Sequence, residues 1–435
     1  MPLPCQLFTA SISVKSPRTV VYAGGKKKAL EMADHSPPDT TRGHGTQRGG
    51  KSGKVADFRY KRPSRPDGKR GERRNASRRD GKPVSRGPVP AVTPGPGTHR
   101  QAYAALDLGT NNCRLLIARP SGENFTVIDA FSRVVRLGEG LAASGKLSDE
   151  AMERTMAALH VCAEKLRRRN VRLARSVATE ACRRASNGPA FIERVRRETG
   201  IMLDIISAQE EARLAVLGCH ILLEEGEGPA IIFDIGGGST ELVLVQPGDK
   251  VPRIVDWLSV PWGVVSLTDT VQGSDTTEAE RLERYTGMRT TVGRSFAEFA
   301  ERIRGHISGS EPIRLLGTSG TVTTLASLHL ELPQYDRRAV DGLIVPSQSM
   351  RDISTRLSRM CAADRKQLPC IGDDRANLVI AGCAILESIL DIWPATQLGV
   401  ADRGIREGIL RSLIAADAEG ERSRAALQRM REQDV

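Results

Sequence analysis

The sequence predicts an α/β protein with two similar halves facing a cleft, and three observations carry that prediction. From residue 102 onward, short apolar runs alternate with segments of helical period. At 435 residues the chain has room for two or three domains. Most telling, one hairpin occurs twice, 127 residues apart: LDLGTNNCRLLIA from Leu106 and FDIGGGSTELVLV from Phe233. The alignment puts Asp107 on Asp234, Gly109 on Gly236, Asn112 on Ser239 and Arg114 on Glu241, with apolar residues flanking both turns.

Each element has a local reason. AYAALDLGTNNCRLLIAR (102–119) reads as strand, glycine turn, strand, and FTVIDAFSRVVRL continues as strand. LSDEAMERTMAALHVCAEKLRRR is a helix, with Ser148 as its cap and Asp149 and Glu150 against its positive end. Met152, Met156, Leu159, Ala163 and Leu166 form its apolar face. VRLARSVAT is a strand, followed by a helix at about 187–199. MLDIISAQEEARLAVLGCHILL is a strand, a short turn and a helix. LLGTSGTVTTLA (315–326) is a strand turning through Gly317, Thr318, Ser319 and Gly320 into a helix, a turn of small hydroxyl residues at a helix start that is a further candidate phosphate or nucleotide loop. LVIAGCAILESILDIW (378–393) is apolar throughout, which suits a core helix or, less readily, a homodimer surface.

Charge is unevenly distributed. Residues 1–100 hold 22 Lys/Arg against 7 Asp/Glu, so the whole excess of +12 lies there, while the remainder carries −3. Rich in Gly, Pro, Ser and Arg without apolar period, residues 1–100 are expected to be a disordered basic extension able to bind polyanions. Residues 45–52, GTQRGGKS, match the Walker A pattern, but no strand precedes them and no helix follows, so no P-loop is expected. The first residues lack the basic start of a signal peptide, and Met32 is an alternative translation start. No run of 18 apolar residues suggests a membrane span. Eight scattered cysteines without C-x-x-C read as reduced thiols of a cytoplasmic protein, not a disulfide or zinc framework.

The twin turns carry the chemistry. Glycines expose consecutive backbone N–H groups, an anion nest, beside a carboxylate. That carboxylate would repel phosphate unless a cation bridged them, so Asp107 and Asp234 read as ligands of a hard ion such as Mg²⁺. Two opposed nests could hold the two ends of a phosphate chain.

Six segments in order, DLGTNNCRLLIA, VATEACRRA, AQEEARLAVLG, FDIGGGSTELVLV, GTSGTVTTLA and VADRGIREGIL, together resemble the exopolyphosphatase/guanosine pentaphosphate phosphohydrolase (Ppx/GppA) family, in a short form. The resemblance covers residues 102–415 and implies two RNase H-like domains of the actin and sugar-kinase superfamily around a central cleft. It divides the chain into residues 101–207 plus 400–420, residues 208–399, and a tail from 421 to 435. It implies phosphate-binding roles for Gly109, Thr110, Asn111, Arg183, Gly236, Gly237, Gly238, Ser239 and Thr240. It makes Glu211 the catalytic carboxylate, and Glu241 a second essential one shared with the metal site of Asp107 and Asp234. The implied reaction is Mg²⁺- or Mn²⁺-dependent attack of water on the terminal phosphoanhydride of polyphosphate or guanosine pentaphosphate, the latter a link to the stringent response. An actin-like ATPase or sugar-type kinase and a non-catalytic polyphosphate or nucleotide sensor are the alternatives.

Overall fold

The computed structural model describes residues 101–433 apart from 123, 249–250 and 308–312, together with the pair Val20–Val21. That pair is a two-residue strand, β1, on the edge of the first sheet. The disorder expected for the rest of 1–100, the Walker-like stretch and Met32 lie outside the described residues.

The first half opens with β2 (Ala102–Leu108), β3 (Asn112–Ser121) and β4 (Asn124–Val134), an antiparallel meander. Then come α1 (Leu141–Ser144), α2 (Asp149–Arg168), β5 (Val171–Ala178), α3 (Glu180–Arg184), α4 (Gly188–Thr199) and β6 (Leu203–Ile205). Ser148 caps α2 as expected, its side chain accepting from the Ala151 N–H. The period of two along β2 divides its residues between two cores. Ala102, Ala104, Leu106 and Leu108 face α2 and α4, while Tyr103 and Ala105 face the other way.

The second half repeats this plan. It contains α5 (Ala208–Cys219), β7 (Ala230–Ile235), β8 (Thr240–Gln246), β9 (Arg253–Val260), α6 (Val264–Thr270), α7 (Glu278–Ile307), β10 (Arg314–Thr318) and α8 (Gly320–His329). After these come α9 (Arg337–Val340), β11 (Ile344–Pro346), α10 (Ser347–Arg359), α11 (Ala362–Lys366), α12 (Val379–Ile392), β12 (Gln397–Ala401) and α13 (Ile405–Gln433). In the first sheet β4, β3 and β2 are antiparallel neighbours, and β5 and then β6 add parallel beyond β2. In the second, β9, β8 and β7 are followed in the same way by β10 and β12. Equal strand order and direction in both halves make the duplication structural: an α/β fold of two RNase H-like sheets. Ile231, Phe233 and Ile235 face the large second core, while Ala230 and Ile232 face α5.

Helix α12 is buried at twelve of its fourteen positions and lies inside the second core, so its apolar surface needs no partner. Two expected boundaries shift. Val400 and Ala401 pair with Gly317 and Thr318 in the second sheet, so a division before residue 400 cuts through β12. Residues 421–433 continue α13 rather than forming a separate tail. Helices α5 and α13 cross in backbone contact between the two sheets, with Gly218 against Gly404 and Gly408 against Leu214. The seven described cysteines are all free. No helix among the described residues is long and apolar enough to cross a membrane.

Candidate active site

Both turns close in the same way. The Gly109 N–H donates to the Asn112 carbonyl and the Gly236 N–H donates to the Ser239 carbonyl, each at 2.9 Å. Strand register then sets Asp107 opposite Arg114 and Asp234 opposite Glu241. The two turns meet across the cleft: a Cβ on Gly237 would lie 3.0 Å from Thr110 Cβ, and one on Gly238 would lie 2.5 Å from Thr110 Oγ1. Only glycine permits this approach.

Between the turns lies a cavity of about 130 Å³. Asp107, Gly109, Thr110, Asn111, Asp234, Gly236, Gly237, Gly238, Ser239, Glu211 and Glu241 all line it, as do Ser319 and Gly320 at the start of α8. Ser319 holds φ at 150° while its hydroxyl accepts from the Thr321 and Val322 N–H groups. A non-glycine residue in that region stores strain, which is commonest at functional sites.

Four expected site residues stand apart from this cavity. Thr240 is fully buried and donates to the Trp262 carbonyl. Gly317 makes room for the Phe233 ring, 2.6 Å from where its Cβ would be. Arg183 sits behind the cavity wall and clamps two carboxylates. Its Nη1 donates to Glu211 Oε2 at 3.0 Å and to the Ile206 carbonyl at 2.8 Å, and its Nη2 donates to Glu180 Oε2 at 2.6 Å. Thr318 lies on a neighbouring cavity instead.

The electrostatics are those of crowded acids. Burial first, then the charge of Glu241, pushes Glu211 well above the usual carboxylate range, against the pull of Arg183. Asp234 is pushed up to about 7 by burial and then by Glu211. Glu241 is pushed up to about 7 by burial and then by Asp234, although the Ser239 and Ser259 hydroxyls donate to its Oε1 at 2.7 and 2.9 Å. Burial also raises Asp107, with Arg114 and Arg406 opposing. Among the described residues, no donor reaches the buried Asn111 Oδ1. Repelling carboxylates beside an orphaned acceptor oxygen are a donor set that fits a hard divalent cation. Among the described residues no three His, Cys, Asp or Glu converge as an all-protein metal site.

Sequence reasoning passed over Glu180, Arg375 and Arg406. Glu180 lines the cavity and holds Arg183 from the side opposite Glu211. Arg375 reaches Gly320 from the loop before α12. Each arrives from an element remote in sequence, and only the adjacency of Glu180 to the TEACRRA arginines hinted at any of them.

Comparison with known proteins agrees with this geometry. A model of the Ppx/GppA phosphatase family matches residues 116–416. The chain belongs to the Ppx/GppA phosphatase family. Exopolyphosphatase 2 of Mycobacterium tuberculosis is 31% identical over 328 residues, covering 71% of this chain and 98% of the relative. The crystal structure of the Aquifex aeolicus Ppx/GppA family member aligns at 28% identity with a TM-score of 0.59, over 73% of this chain and 98% of that one. An exopolyphosphatase structure from Cytophaga hutchinsonii aligns with a TM-score of 0.65 over the same shares and, at 23% identity, speaks for the shared fold alone. The Ppx/GppA match begins after the first turn, so that turn is placed here by its repeat geometry.

Proposed function

We propose that this member of the Ppx/GppA family hydrolyses the terminal phosphoanhydride of inorganic polyphosphate, and of guanosine pentaphosphate where that is offered. The observation that carries the reading is the meeting of two glycine turns across one cavity that also holds Glu211 and Glu241. The free amides of the turns hold the phosphoryl oxygens, as backbone nests do. Glu211 orients the attacking water and accepts its proton, a role suited to a carboxylate whose proton affinity has been raised. Arg183 and the Ile206 carbonyl fix the position of that carboxylate through the guanidinium. Glu241, held by two serine hydroxyls, faces Asp234 across the hairpin. Two of the carboxylates Asp107, Asp234 and Glu241, together with substrate oxygens, would hold Mg²⁺ or Mn²⁺. When bound, that ion would neutralise charge on the phosphoryl oxygens. Positioning and charge neutralisation supply most of the catalysis in phosphoryl transfer.

The test is orthophosphate release with Mg²⁺ from long polyphosphate, tripolyphosphate, guanosine pentaphosphate and ATP. Polyphosphate or guanosine pentaphosphate should be consumed and ATP spared. Glu211→Gln should lower kcat about 10²–10⁴-fold, the usual contribution of a general base. Turnover of ATP with transfer to an acceptor, or a fully active Glu211→Gln chain, would replace this reading with a kinase or a different base.

A further inference from the structure

Glu180 lines the cleft without a part in the proposed reaction. It opens α3, and its carboxylate has two arginine neighbours on the same helix, Arg183 at 2.6 Å and Arg184 at 3.7 Å. Such pairs are commonplace on solvated helices, where they contribute little. This one is not solvated: the Glu180 side chain is 11% exposed and lies in the wall between the turns. Its stem rests against the second turn, with Cγ 2.9 Å from where a Gly238 Cβ would lie. A carboxylate in that wall repels a phosphoryl group held by the nests, a cost that another contact must offset.

Arg183 supplies that contact. Its Nε and Nη2 both donate to Glu180 Oε2, at 3.1 and 2.6 Å. Its Nη1 donates to the Ile206 carbonyl and to Glu211 Oε2, at 2.8 and 3.0 Å. A guanidinium has five N–H donors, so four are spent on the protein and Glu180 takes half of those. Without Glu180 the edge formed by Nε and Nη2 would be free beside two anion nests. A free fork binds phosphoryl oxygens in pairs. It would hold the phosphoryl group before, during and after transfer, and such uniform binding does not raise kcat. Glu211 would also lose the guanidinium that orients it.

We infer that Glu180 is a positioning residue that withholds Arg183 from the phosphate and keeps it on the Glu211 carboxylate. The inference rests on the hydrolytic reading of the cleft, with Glu211 as the base. The resemblance casts Arg183 as a phosphate ligand, whereas here a carboxylate on the preceding turn of the same helix decides where the guanidinium points.

The experiment compares Glu180→Gln with the unsubstituted chain in two readings, polyphosphate turnover with Mg²⁺ and calorimetric titration with orthophosphate. The substitution keeps the shape of the side chain and removes its charge. It should lower kcat about tenfold, the usual scale for a weakened hydrogen bond to a charged group. It should also tighten orthophosphate binding about fivefold, because a repelling charge is gone and the Arg183 fork is released. Glu180→Asp keeps the charge on a shorter stem and should fall between the two chains in both readings. It carries the test if Glu180→Gln does not fold. In an Arg183→Lys background, adding Glu180→Gln should change kcat less than about twofold, since the two residues act as one unit. A lower kcat with orthophosphate binding unchanged or weaker marks plain structural support and overturns the inference. An unchanged kcat, or a loss that persists in full in the Arg183→Lys background, overturns it as well. An unsubstituted chain that releases no phosphate from any substrate removes the hydrolytic reading, while the titration still decides whether Glu180 withholds Arg183.

Discussion

At the scale of single residues, proton affinity is the property that reports on the site. Asp234 and Glu241 face each other across one hairpin, and both are raised to about 7. A carboxylate whose pKa is higher in the folded than in the unfolded chain binds its proton more tightly when folded. Its stabilising contribution is complete below the unfolded value, 3.8 for Asp234, and is lost as pH rises through about 7. In the presence of a chelator, Asp234→Asn should therefore melt ~2–4 °C above the parent at pH 8, the shift expected for about 1 kcal/mol in a large domain. At pH 4 the two should melt together. Equal melting temperatures at pH 8, read by calorimetry, would mean that Asp234 is not under the strain described. The facing of Asp234 and Glu241 was legible in the sequence, because seven residues across a tight turn bring both to one rung of a hairpin. The clamp on Glu211 was not. Arg183 looked like a phosphate ligand; its pair with Glu180 is local to α3, but its hold on Glu211 depends on α3 and α5 folding against each other.

At the scale of elements, the repeat was the most informative feature of the sequence. It identified β2–β3 and β7–β8 as equivalent before any tertiary contact was known, and the matching hydrogen bonds of Gly109 and Gly236 show why the glycines recur. The ends of elements were harder to read. Nothing in residues 397–401 separates a strand of the second sheet from a connection back to the first, since that choice lies in pairing with β10 and β11. Likewise the crossing of α5 and α13 is invisible until Gly218 and Gly408 are seen to meet backbone. A Cβ on Gly408 would lie 2.0 Å from the Leu214 carbonyl oxygen, and one on Gly218 would lie 1.9 Å from that of Gly404. Gly408→Ala should therefore destabilise the chain by about 1–3 kcal/mol, the usual cost of overpacking. The urea midpoint measures it; an unchanged midpoint would show that the helices separate at little cost.

At the scale of the molecule, the two sheets meet along the twin turns and the α5–α13 crossing, with the carboxylates between them. Exposed contacts also bridge the cleft mouth: Arg136 pairs with Asp374 at 2.8 Å, and the Gly140 N–H reaches Asp269. Such exposed pairs contribute ~1 kcal/mol or less, so they bias closure without locking it. Gly237 and Gly238 lie close against Thr110, so both nests and Glu211 face one cavity. In the proposed reaction, water attacks the terminal phosphoryl group held there. The most direct measurement is polyphosphate turnover in ¹⁸O-enriched water, with mass analysis of the released orthophosphate and of the shortened chain. Attack at the terminal phosphorus places one solvent oxygen in each orthophosphate and none in the new chain end, and this labelling should be lost in Glu211→Gln. Solvent oxygen in the shortened chain, or labelled orthophosphate formed equally well by Glu211→Gln, would contradict it.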